Sequence, residues 1–182
     1  MFENFFRRLT GRKTAGRPAA ATPPAARQAK AHAADEVAPG TDIHYHPELI
    51  ARLQADHKVL LGLFGRIKTA HAAGDTAQAA MLLVEFRNAL QEHLLVESVR
   101  LYVYLEHQAR NDEERFALVH NFRHEMGAIG KAAVAFLAKY ADLASDPQLA
   151  ATFGADLDAV GSVLAQRIHR EETLLYPMYE AG

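Results

Sequence analysis

The chain has 182 residues, enough for one domain of ordinary size plus a tail, and enough to bury a core without covalent staples. Its 20 Lys+Arg against 22 Asp+Glu leave a formal net charge of -2, so the whole-chain electrostatic footprint of a nucleic-acid binder is missing and no nucleic-acid partner is expected. Cysteine is absent, which excludes disulfides, thiolate metal sites, iron-sulfur clusters and cysteine nucleophiles together.

Met1 to Lys13 puts Phe2, Phe5, Phe6 and Leu9 near one helical face, with Arg7, Arg8, Arg12 and Lys13 among and after them. A secretory signal has the opposite order, positive charge before a longer apolar stretch, so the expected location is cytoplasmic. The segment is too short for a stable free helix. It is either a disordered start or a tethered motif for a membrane surface or a protein groove. From Thr14 to Gly40 the sequence is Ala, Pro, Lys, Arg and Gln with almost no large apolar residue, which cannot offset its ordering entropy. Residues 1–41 are therefore expected to be a disordered tail and residues 42–182 a bundle. All apolar runs fall well short of the ~20 residues a bilayer-spanning helix needs.

Four long amphipathic segments follow. The first runs from Pro47 to Ala72, with Ile50, Leu53, His57, Leu60, Leu61, Phe64 and Ile67 at helical spacing, and Gly74-Asp75 ends it. The second runs from Thr76 to His107, with Leu83, Phe86, Leu90, His93, Glu97, Leu101 and Tyr104 on one stripe. Asn111-Asp112 supplies a turn and an N-cap for the third, whose stripe is Val119, Phe122, Met126, Ile129, Ala133, Phe136, Leu137 and Tyr140. Ser145-Asp146-Pro147 starts the fourth, where Gly154 is a point of interruption before Leu157 to Met178. Four such helices on short loops bury their stripes only against one another, which predicts an all-α, up-down-up-down antiparallel four-helix bundle.

The informative residues are the polar ones on apolar stripes. His57 lies between Leu53 and Leu60, and His93 with Glu97 lies between Leu90 and Leu101, so all three are expected to point into the core. A charge there needs a partner. His93 and Glu97 are four apart and can present nitrogen and oxygen to one ion. The second and fourth helices also repeat each other weakly: His93-Leu-Leu-Val-Glu97-Ser-Val-Arg-Leu101-Tyr102 aligns with Arg167-Ile-His-Arg-Glu171-Glu-Thr-Leu-Leu175-Tyr176. This repeat would bring Glu97 and Glu171 to one level from different helices, where paired carboxylates can bridge cations.

A histidine on the first helix, His-x-x-x-Glu on the second, a histidine on the third and a Glu-Glu-x-x-Leu-Tyr-Pro ending on the fourth resemble the hemerythrin-like HHE domain family over about Pro47 to Glu180. The resemblance implies a non-haem iron or di-iron centre, with dioxygen or nitric oxide as ligand and a role in binding or in oxygen, nitric oxide or iron sensing. It places His57, His93, Glu97, His124 and Glu171 at ligand positions.

Two departures bear on that expectation. Arg167 stands where the family has its last histidine, and a guanidinium has no lone pair to give a metal. His169, two positions on, is roughly 200° around a regular helix. On the third helix His124 matches the family and His120 is the reserve, but both lie on a flank of small residues rather than on the Phe122/Met126/Ile129 stripe. The rival expectation is that Arg167 itself neutralises Glu97 and Glu171, leaving one ion or none. Arg-x-x-x-Glu-acid on the last helix also resembles the regulator-of-sigma-D anti-sigma factors, which implies a metal-free regulatory bundle acting on a protein partner. Tyr102, Tyr104, Tyr176 and Tyr179 read as core or interface aromatics. No nucleophile triad, phosphate loop or cofactor fingerprint appears, so binding or regulation is expected rather than catalysis.

Overall fold

A computed structural model describes residues 42–180. The expectations for the tail, residues 1–41, and for the last two residues fall outside them.

Helix α1 (Leu49–Ala72) buries Leu49, Ile50, Leu53, His57, Leu60, Leu63, Ile67 and Ala70, the three-and-four spacing of one helical face. Gly74 stops it at φ 75°, a conformation that costs most side chains but not glycine. The Asp75 N–H then reaches back to the Ala70 carbonyl at 2.9 Å, and the Asp75 side chain caps α2 (Thr76–Val96) by accepting from Gln78 N–H at 2.8 Å. A wide π-turn, Glu97–Leu101, joins α2 to α3 (Tyr102–Gln108). Asp112 caps α4 (Glu113–Lys139) through Arg115 N–H at 3.0 Å. Asp146 caps α5 (Pro147–Arg170), with Pro147 in the first turn, where its missing N–H costs nothing. A second π-turn, Glu171–Leu175, leads to α6 (Tyr176–Glu180).

Four rods result: α1, α2 with α3, α4, and α5 with α6. They form the expected all-α up-down-up-down bundle. Gly154 does not interrupt α5. A Cβ there would meet the His71 ring, and one at Gly161 would overlap the Phe64 ring, so the two glycines, seven residues apart on one face, let α5 approach α1 closely. Leu61, expected on the buried stripe, is 46% exposed, since it lies one residue past Leu60 on a helix that turns ~100° per residue. Among the described residues no helix is long and apolar enough to cross a membrane.

The core is two apolar clusters stacked along the bundle axis. One contains Leu60, Leu90, Ile129 and Val163, and the other contains Leu53, Leu101, Phe122, Met126 and Leu175. Each fully buried Leu or Phe contributes roughly 1.5–3 kcal/mol, and this packing holds the helices together where propensity alone would leave them marginal. The seam between the clusters is polar on three rods: His57 on α1, His93 and Glu97 on the second, Arg167 and Glu171 on the fourth. On α4 the seam is closed by Met126 and Ile129, with no buried polar residue between them.

Candidate metal centre

His57, His93, Glu97, Arg167 and Glu171 are each at most 3% exposed. The His57 and His93 rings pack with centroids 4.7 Å apart, and His57 Nε2 lies 3.3 Å from Glu171 Oε2. His57, His93 and Glu171 each bring one ligating atom within 4.8 Å of the others, so these three could hold a metal ion.

Their outer partners fix the orientations. His57 Nδ1–H donates to Glu172 Oε1 at 2.9 Å, which leaves Nε2 facing Glu171 and the Tyr176 hydroxyl, the latter at 3.2 Å. Asp56 Oδ2 approaches His93 Nδ1 at 3.7 Å, beyond hydrogen-bond distance, and neither atom has a hydrogen-bond partner. An imidazole whose outer nitrogen faces a carboxylate is held with its inner nitrogen toward the site, the usual backing of a metal-bound histidine.

The π-turns account for the tyrosines. Tyr102 is five residues after Glu97, which on a regular helix lies ~140° away, yet the wide turn, closed by Tyr102 N–H to the Glu97 carbonyl, swings it onto the core side. Tyr176 does the same after Glu171. Both tyrosines are no more than 1% exposed, and their hydroxyls reach the centre: Tyr176 bonds His57, and Tyr102 accepts from the Arg167 guanidinium. Burial, foremost, holds both hydroxyls protonated well above their ordinary range.

Arg167 is ion-paired through Nε to Glu171 Oε1, approaches Glu125 Oε2 at 3.4 Å, and lies over the Phe122 ring at 4.7 Å. Glu97, 0% exposed, has no hydrogen-bond donor on either carboxyl oxygen. Burial, then the neighbouring Glu171 charge, push its pKa well above 4.5 despite the opposing Arg167. For Glu171 burial acts in the same direction, but the His57 hydrogen bond and the Arg167 charge outweigh it and the pKa is lowered. For His57 burial is outweighed by hydrogen bonds to Glu171 and Glu172, so its pKa is raised above 6.5, whereas His93, buried beside His57, falls to about 4.

The expected ligand His124 is not brought to this cluster. It is exposed on α4, as is His120, because the buried face of α4 is Phe122, Met126 and Ile129. His169 is exposed as well: the π-turn that could have rotated it inward begins two residues later. Sequence reasoning missed Glu172, Glu125 and the roles of Tyr102 and Tyr176. The tyrosines carried a signal, since they occupy the same place in the two repeated segments. Glu125 carried none.

The donor set, imidazole nitrogen and carboxylate oxygen without sulfur, fits a divalent transition metal, and the donorless Glu97 carboxyl is the kind of buried group a cation would satisfy. A small cavity of about 40 Å³ touches His57, His93, Arg167 and Glu171 and is otherwise walled by apolar residues such as Phe64, Leu90 and Ile129. No curated protein and no solved structure matches the chain. The hemerythrin HHE cation-binding domain does match, over residues 48–179 of the 182, which takes in all of these polar residues, and the chain belongs to that family.

Proposed function

We propose that the bundle holds non-haem iron through His57, His93 and Glu171, with Glu97 as the adjoining carboxylate, and uses it to bind or sense a small ligand such as dioxygen or nitric oxide. The observation that carries this reading is the convergence of two imidazoles and a carboxylate within 4.8 Å, in a seam otherwise sealed by apolar clusters. Two histidines and one carboxylate with open positions are a donor set of non-haem iron(II). Iron there would supply an open coordination position and one-electron redox chemistry. The chain's own residues orient the imidazoles through Asp56 and Glu172 and keep bulk water away. The adjoining cavity, about 40 Å³ against the roughly 10–15 Å³ that one water requires, has room for a diatomic molecule. His124 has no part in this arrangement.

Metal analysis and an absorption spectrum of protein purified from iron-supplied cells test the reading. Iron near stoichiometric with the chain is expected, lost on replacing His93 and Glu97. Substoichiometric metal indifferent to those replacements would end it. The second reading, a metal-free regulatory bundle that captures a protein partner, is favoured by one observation: buried Arg167 already pairs with Glu171. It predicts partner capture that survives chelation and is lost on surface mutation.

A further inference from the structure

We infer that Arg167 stands permanently in the position a second metal ion would occupy, so that the centre takes one divalent cation per chain and not two. The inference rests on the metal-binding reading above and deepens it.

The two halves of the centre are built on one plan. His93, Glu97, Leu101 and Tyr102 correspond to Arg167, Glu171, Leu175 and Tyr176, and each half has its glutamate opening a π-turn and its tyrosine swung inward behind it. In one half the group four residues before the glutamate is an imidazole, and α1 adds a second, His57. In the other half that group is a guanidinium, and α4 adds Phe122 and Met126 but no buried polar residue. Beyond His57, whose Nε2 already faces Glu171 and is shared with the first half, the second half thus has no imidazole to offer.

What it has is a cation held from three sides. Arg167 Nε goes to Glu171, one terminal nitrogen to the Tyr102 hydroxyl and the other toward Glu125, while the Phe122 ring covers its face. Arg170 reinforces this by bonding Glu125 at 2.6 Å and lying over the same ring at 4.8 Å. A guanidinium with its N–H groups directed at fixed acceptors and its face stacked is not free to swing aside for a metal. It also supplies charge. Glu97 and Glu171 carry at most two negative charges between them, which one guanidinium and one divalent ion more than balance. A second divalent ion would face both the first ion and the guanidinium in a medium that screens poorly.

The test is metal stoichiometry on the full chain, with circular dichroism confirming that each variant is folded. Wild-type protein saturated anaerobically with iron(II), and separately with zinc(II), then desalted, is expected to retain one ion per chain. Two ions would overturn the inference while leaving the metal-binding reading intact, and no ion would overturn both. Arg167→His, which places an imidazole at the repeat equivalent of His93, is expected to add a second binding step and raise retention toward two. Arg167→Lys keeps a cation there and is expected to stay at one. A folded Arg167→His variant that stays at one ion, or an Arg167→Lys variant that takes two, would overturn the role given to Arg167.

Discussion

Replacing Glu97 by Gln should stabilise the metal-free protein and weaken metal retention in the same molecule. Both Glu97 oxygens are buried without a donor, and its pKa is held well above 4.5, by burial first and then by Glu171. Below pH 4.5 the carboxyl is protonated in both folded and unfolded chains, so it contributes its full stability. As pH rises from there toward the folded value, the unfolded chain ionises and the folded one resists, and that stability drains away. Gln has the shape of the protonated acid, does not titrate, and its amide N–H can donate to Glu171. Leaving a buried polar group unpaired costs about 1–3 kcal/mol, more for a charged one. For a bundle of this size 1 kcal/mol is about 3–4 °C in melting temperature, so Glu97→Gln should melt roughly 3–12 °C higher at pH 8, with the gain vanishing near pH 4. Thermal denaturation by circular dichroism in chelator, at both pH values, measures this. An equal shift at both, or a lower melting temperature at pH 8, would refute the idea of a donorless buried carboxyl.

His57→Ala and His93→Ala should each abolish tight metal retention by elemental analysis, while His124→Ala, on the exposed face of α4, should leave it unchanged. Metal uptake should weaken as pH falls: protons compete for His57, whose pKa lies above 6.5, whereas His93, at about 4, offers no competition above pH 5, so a calorimetric titration should find affinity rising with pH through and beyond 6.5. Gly161→Ala sets a methyl against the Phe64 ring at the α1–α5 contact, and the strain should cost about 1–3 kcal/mol in urea unfolding, with no loss expected for Gly65→Ala, where a Cβ meets open space.

Much of this protein was legible in the chain by itself. Apolar residues every three or four positions, with Gly74-Asp75, Asp112 and Asp146-Pro147 as punctuation, dictate four helices on short loops, and such helices have only each other to pack against. Local periodicity also put His57, His93 and Glu97 inside, because a polar residue between two leucines of a stripe has nowhere else to point. It equally said that His124 is off the α4 stripe, and there the family pattern and the periodicity disagreed. Tertiary structure decided for periodicity, since the face that α4 buries against the other three rods is Val119, Phe122, Met126, Ile129, Ala132, Ala133 and Phe136, and His124 is not on it. It alone decided who meets whom. That Glu172 backs His57, that Tyr102 and Glu125 hold Arg167, and that Arg167 lies against Glu171 depend on the register between helices far apart in sequence and on two π-turns. Helical spacing fixes the direction of a side chain about its own axis, but not the height at which it meets its neighbours, and an inserted wide turn resets that direction in a way that regular helical periodicity does not anticipate.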